Sequence, residues 1–549
     1  MNIIKSTIKL GVVATIATMA CTSCNSLDLS PIDYYGSTNY WTKPEHIIGY
    51  MDGLHKNLRD QIYQHQYILG EARGGSSIGS GTSVDGVNIS YMALKIQNLS
   101  SVSSGIENWG NMYGMIANIN IFLQKTKEAT YMPESEKAYY LGQAYGLRAF
   151  YYFDLYRVYG TAPLQLDPNK VFNGNFNPED LYEGRASAST LMKQIKSDLD
   201  ESMKYFGDNN SFDPKNRGNK KGYWSKAATE CLMGDVYLWT SKVSVDDNPA
   251  NEADLAIAKK HLLNVVNNYN LGLESKFNDV FDVNNKGNKE IIMAVRFADG
   301  EASNNQSTIY NMQTGAFRGG NFKDENGNIL DKDTLQTGST GMQYNEYKKG
   351  LFLKYEKKDV RRDGTFLSVY GKADMKLKGT YVRKNIGYFN VSTNMRVWNG
   401  DAVLYRLPWV YLALAEIANM EGDNANVEKY INLVRERAYP YYNDANKTVW
   451  QKELYGYIPS DFTANELAIL NEKDKEFVQE GQRWWDVLRM TLTKGGKHLV
   501  FCKEAAIIDE GEENKPILNE STEAYKVLWP VETNMISKDS KVTQTPGYK

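Results

Sequence analysis

The stretch "YLALAEIANMEGDNANVEKYINLVRERA", residues Tyr411–Ala438, most constrains the fold. Small Ala413 and Ala415 sit in a first amphipathic run, Gly422 marks a turn, and Tyr430 follows eight residues later on a second run. A helix, a glycine turn and a second helix form a degenerate tetratricopeptide-like unit. "AATECLMGDVYLW" followed by "AIAKKHLLNVV" reads as another. No strict repeat runs through the chain, so the pattern predicts scattered helical pairs and not a regular solenoid.

Helical spacing also covers Ile47–Tyr67, Trp109–Leu123, Glu136–Tyr159, Ala188–Phe206, Ser225–Lys242 and Ala253–Tyr269, then Tyr405–Asn419, Asn424–Arg437 and Ala464–Leu488. Residues 73–90 are a Gly/Ser loop without period. Residues 270–400 are rich in Gly, Asn and Asp, with short β-like runs such as "EIIMAVRF". The expected class is mainly α, a scaffold of helical pairs with a loop-rich region carrying a few short strands. For 549 residues that is one extended helical assembly or two to four domains.

Leu10–Ala20 is apolar but too short to span a bilayer, follows Lys5 and Lys9, and precedes small residues: a secretory signal peptide. Cys21 and Cys24 end it. A zinc site needs about four ligands, and no second pair of suitable spacing exists. A redox CxxC belongs at a helix start in a folded βαβ context. What remains is a bacterial lipoprotein signal, whose acylated residue local chemistry leaves open between Cys21 and Cys24. Cys231 and Cys502 lie in apolar surroundings, as buried free thiols do.

Net charge is −3 with no basic block, which argues against nucleic acid, and five His argue against a His-rich metal site. The 38 Tyr and 10 Trp suit wet binding surfaces as well as core packing. "GSSIG", Gly75–Gly79, matches G-x-S-x-G but lacks the strand and helix of a nucleophile elbow. Glu480 and Asp486 are paired carboxylates, yet six residues on a helix put them on different faces beside Arg483 and Arg489. These charges, and "DVRRD" at Asp359–Asp363, read as structural ion pairs. "FKDENGNILDKD" resembles a calcium loop only loosely and lacks its terminal Glu, so neither metal nor cofactor is expected.

Several segments together resemble the SusD/RagB-like outer-membrane nutrient-binding lipoproteins. "CNSLDLSP" resembles the family's mature N-terminus and selects Cys24 as the acylated residue. "AYGLRAFYYFDLYRVYGTAPL" resembles its most recognisable helix, with Arg148, Tyr152, Asp154, Gly160 and Pro163 in place. "VLYRLPWVYLALAEIAN" resembles a later helix, although Trp409 stands where an acid is usual; "NLVRERA", "EFVQEGQRWWDVLR", "VLWPV" and "TQTPGYK" follow in order. The resemblance implies a signal peptide at 1–23, a tether at 24–40 and one SusD-like domain at 41–549. Its helical scaffold would be 41–269 and 401–500, its variable region 270–400 and its C-terminal loop segment 501–549. It implies about four tetratricopeptide-like pairs and a lipid-anchored, surface-exposed protein of the outer membrane. Its partner would be a SusC-like TonB-dependent β-barrel, to which it delivers glycan without catalysis. Arg148, Asp154, Glu480, Arg483 and Asp486 would be scaffold.

The family's glycan site lies commonly between the loop before the Trp109-type helix and the variable middle. Placement and composition then nominate Arg73, Asp85, Asn88 and Tyr91 from the first, and Tyr310, Phe317, Arg318, Tyr388 and Trp398 from the second. Trp398 leads, as a large aromatic between polar neighbours before a helix. Peptide or glycopeptide cargo on the same fold is an alternative, favouring a longer cleft with exposed backbone partners. A surface glycosidase would need convergent carboxylates or a metal in a deep cleft.

Overall fold

The computed structural model describes residues 40–549 apart from 80–91, 107–108, 169, 171–178, 180–181, 219–220, 312–316, 318, 339, 343, 440 and 445–446. Eight helices form the scaffold: α1 (Pro44–Tyr63), α2 (Gly110–Glu128), α3 (Glu134–Tyr159), α4 (Ala188–Phe206), α5 (Lys226–Thr240), α6 (Asp254–Asn268), α7 (Leu407–Glu421) and α8 (Asn424–Ala438). Each packs against the next in chain order, and the tightest neighbours are α3 with α4, α5 with α6, and α7 with α8. This is the expected series of helical pairs.

Local chemistry sets the ends. Ser187, Ser225 and Asp423 accept the N–H of Thr190, Ala228 and Asn426 at the starts of α4, α5 and α8, satisfying donors that lack an intrahelical partner. Pro44 and Pro408 occupy the first turns of α1 and α7, where no N–H is needed. Gly422 ends α7 in the left-handed region at φ +74°, a conformation open to a residue without Cβ. From Tyr139 to Tyr159, α3 is buried on every side, and its charges are paired there, Arg148 with Asp198 at 2.6 Å and Arg157 with Asp154 at 2.8 Å. Cys231 and Cys502 are free and buried.

Two boundaries differ from the periodicity. Tyr405 and Arg406 belong to strand β10 (Ala402–Arg406), which pairs antiparallel with β2 (Ile291–Val295), so α7 starts at Leu407. The helix expected over Ala464–Leu488 is two, α9 (Phe462–Glu476) and α10 (Arg483–Arg489). Gln479 and Gly481 between them have φ of +66° and +70°. The cause is a backbone crossing: a Cβ on Gly481 would lie 2.5 Å from Cα of Gln66, and one on Gly70 would lie 1.9 Å from the Gly481 carbonyl oxygen. Trp484 N–H donates to the Gly70 carbonyl at 2.9 Å, tying α10 to the segment that ends the first helix.

Residues 270–400 are loops with short strands, as expected. Strands β3 (Phe322–Lys323), β4 (Ile329–Leu330), β6 (Phe366–Gly371) and β7 (Leu377–Val382) form a sheet in the order β4-β3-β6-β7. In the calcium-loop lookalike, Asp324 Oδ1 accepts the N–H groups of Asn326 and Asn328, both at 2.9 Å, and so closes the β3–β4 turn. β8 (Tyr388–Asn390) and β9 (Met395–Val397) form a hairpin. β1 (Ser77–Gly79) pairs antiparallel with β5 (Asn345–Tyr347), with Ser77 opposite Tyr347.

The conspicuous charges are scaffold. Arg406 donates to Glu480 at 2.7 and 2.8 Å, to Glu290 at 3.0 Å and to the Glu476 carbonyl at 2.8 Å. Arg361 pairs with Asp359, Glu472 and Glu476 at 2.7, 2.6 and 3.0 Å. Burial alone would raise Glu476, but the Arg437, Arg406 and Arg361 guanidiniums hold it far below the usual carboxylate range. Arg489 and Lys473 pair with Asp486 at 2.6 and 2.7 Å, and Arg148 with Asp198 at 2.6 Å. Glu480 and Asp486 are therefore neutralised inside the protein and do not face a substrate.

Candidate functional site

The loop before α2 and the variable middle region meet at the β1–β5 ribbon. A cleft of about 630 Å³ opens there. Ile78 of β1, Glu346 of β5 and Phe322 of β3 line it, with Lys349, Lys372, Asp374, Lys378 and Asp509. Asp374 and Lys378 pair at 2.8 Å, and Asp509 accepts the Gly350 N–H at 2.9 Å. An adjoining cleft of about 350 Å³ includes Lys95, Ile96, Lys348 and Ile508. Lys348 and Ile508 of the second are chain neighbours of Lys349 and Asp509 of the first.

A buried polar layer supports the ribbon from behind. Tyr67 donates to Asn345 Oδ1 at 2.7 Å, the Tyr310 and Tyr347 rings stack 4.7 Å apart, and Gln479 N–H donates to the Tyr347 hydroxyl at 3.1 Å. Glu71 interacts with Tyr347 and accepts from Ser76; burial pushes its carboxyl up to about 7. Lys95 reaches the Asn345 side chain and the Ile78 carbonyl, and burial lowers its amine to about 7.

Of the residues nominated from sequence, none of those described lines either cleft. Arg73 is fully buried; its guanidinium lies 4.1 Å over Trp484 and 5.2 Å from Trp529, and donates to Gln97 at 2.8 Å. Tyr310 and Phe317 are buried, the first behind the ribbon and the second with Leu335, Val369 and Tyr381 under the small sheet. Trp398 is a correction to the expected exposed platform: only 5 % of it is accessible, and its Nε1–H donates to Thr340 at 3.0 Å. The reason is tertiary: Asn304 N–H donates to the Trp398 carbonyl at 2.6 Å and the indole reaches Thr340, so other loops cover a ring that polar neighbours in sequence suggested was in solvent. Tyr388 is half-buried on the β8–β9 hairpin and donates to Asp299 at 2.9 Å. Asp85, Asn88, Tyr91, Arg318 and Cys24 lie outside the described residues.

Sequence reasoning missed Phe322. It lies at the start of the stretch that was weighed as a cation loop, and its half-buried ring becomes a wall of the cleft only because β3 pairs with β6. An aromatic face beside carboxylates and amines can cover the C–H face of a sugar ring while the polar groups meet its hydroxyls.

Two family profiles match the chain, one for the SusD family over residues 371–548 and one described as starch-binding associating with outer membrane over residues 57–231. A crystal structure of a SusD superfamily protein from Bacteroides fragilis is 51% identical, with a TM-score of 0.85, covering 93% of this chain and 100% of that one. A SusD-like protein from Formosa agariphila is 24% identical over 411 residues, 69% of this chain and 71% of its own. Surface glycan-binding protein A from Bacteroides thetaiotaomicron, solved in complex with laminarihexaose, shares the fold at a TM-score of 0.66 and 15% identity, covering 92% of this chain and 100% of that one. Among the described residues no helix is long and apolar enough to cross a membrane.

Proposed function

Because the chain belongs to the SusD superfamily, we propose that it is a non-catalytic glycan-binding lipoprotein of the outer-membrane surface, anchored through Cys24. In this reading it holds oligosaccharide or polysaccharide at the β1–β5 ribbon and passes it to a SusC-like TonB-dependent barrel. The observation that carries the site is the meeting of the two loop regions at one open cleft of about 630 Å³ with an aromatic wall and both signs of charge. A shallow, wet cleft of this kind gives modest affinity, which suits a carrier that must release its cargo.

The test is isothermal titration of the soluble form beginning at Asn25 against plant, host and microbial polysaccharides, with product analysis. Binding to one glycan class without cleavage is expected. Phe322→Ala should weaken it about 5- to 30-fold, the loss of about 1–2 kcal/mol of aromatic contact. Trp398→Ala should lower the melting temperature, because its ring is packed in the interior. Hydrolysis of the bound glycan, or a panel that stays silent while peptides bind, would overturn the reading.

A further inference from the structure

Glu71 differs from the ion-paired acids of the scaffold. Among the described residues, two buried acids have no ion pair and one oxygen without a hydrogen bond, Glu71 and Glu230, and Glu71 is the one that meets the ribbon. It is 4 % exposed, yet makes no ion pair among the described residues, and its Oε2 has no hydrogen-bond partner. The charged groups facing it are committed elsewhere. Arg483 of α10 donates to the carbonyls of Gly74 and Ala505 at 2.7 and 2.6 Å and pairs with Asp474 of α9. Lys473 of α9 pairs with Asp486 at 2.7 Å, and Lys354 with Asp474 at 2.6 Å. Asp474 itself disfavours a second negative charge, and from β5 Glu71 meets only the Tyr347 hydroxyl. Beside Glu71 lies a cavity of about 10 Å³, the scale of a single water.

This carboxyl is placed to act on the site above, on whose ligand-binding reading the inference rests. Tyr347 ends β5 and faces Ser77 of β1, and Lys348 N–H donates to the Ser76 carbonyl at 2.8 Å. We propose that Glu71 is a positioning residue: protonated, it keeps the β1–β5 ribbon closed; ionised, it loosens the ribbon and weakens the ligand site. The Tyr347 and Ser76 hydroxyls favour the ionised carboxylate, but they do not offset a buried charge with one oxygen lacking a hydrogen bond and no cation within bonding reach, so it draws in water and parts the layer behind the ribbon. Its folded-state value, about 7 against 4.5, is raised, so its contribution is complete at low pH and is lost as the solution rises through neutrality.

The test reads the ribbon without any ligand. Hydrogen exchange at residues 76–79 and 345–348, corrected for the intrinsic rate, is followed from pH 6 to pH 8. Lys95, which ties Ile78 to Asn345, loses its proton over the same range, so the readout is the difference between proteins: protection should fall about tenfold further in the wild type, as the Glu71 protonated fraction falls, than in Glu71→Gln. Tyr347→Phe, which keeps the ring and removes a donor that favours the ionised carboxyl, should move the fall to higher pH. Affinity for the bound glycan should fall about tenfold further over the same range in the wild type than in Glu71→Gln. A flat wild-type profile, or a slope as steep in Glu71→Gln as in the wild type, overturns the inference. Absence of glycan binding at every pH overturns the binding reading and leaves the exchange result to judge the ribbon.

Discussion

Replacing Arg406 with alanine is expected to abolish the folded state or to destabilise it by about 3–5 kcal/mol, the cost of taking one cation out of a buried carboxylate cluster. The side chain is fully buried, and its guanidinium serves Glu290, Glu476 and Glu480 together with the Glu476 carbonyl. Arg437, Arg361 and Lys384 stay paired with Glu290, Glu476 and Glu480, so each acid keeps one cation, but the cluster is left with an excess of buried negative charge and the Glu476 carbonyl loses its donor. Arg406→Lys should fare little better. An ammonium offers three donors from one point, whereas the guanidinium's planar fork reaches acids from the β2 end, α9 and the turn before α10. Calorimetry of soluble protein checks this, with Lys56→Ala as the control. Lys56 pairs with Asp60 on the exposed face of α1, so its loss should change stability by less than about 0.5 kcal/mol. A Tm of Arg406→Ala close to wild type would show that the network is not needed to hold β10, α9 and α10 together.

Gly481→Ala and Gly70→Ala are each expected to cost about 3 kcal/mol or more, because the added methyl meets backbone that cannot yield. The clash at Gly70 is with a carbonyl oxygen, and at Gly481 with the Gln66 backbone, where the positive φ adds strain. Gly53 and Gly114, inside α1 and α2, have open space where a Cβ would sit. Alanine there should stabilise by about 0.5–1 kcal/mol through helix propensity alone. Denaturant melts of the four variants separate the two kinds of glycine. Should Gly481→Ala melt like Gly114→Ala, the crossing would not be what breaks the helix after Glu476. The crossing also fixes where the segment from Gly70 begins, and hence where β1 meets β5.

What the sequence determined by itself is local or periodic. Helical spacing located the pairs, Ser187, Asp423 and Gly422 carry their own start and stop chemistry, and apolar neighbours marked Cys231 and Cys502 as buried thiols. The arginine-rich helices also read correctly as scaffold, since acids and arginines at such density inside an amphipathic pattern must neutralise one another. Tertiary structure decided the rest. Ser77 faces Tyr347 and Gly70 crosses Gly481, contacts between distant parts of the chain that leave no trace in either local pattern. Burial of Trp398 and Arg73 was equally hidden, because polar neighbours in sequence say nothing about which loop folds over a side chain. Phe322 became a site wall only through the pairing of β3 with β6. Local propensity acts over a few residues, whereas a binding cleft is made where loops far apart in the chain are brought together by the scaffold between them.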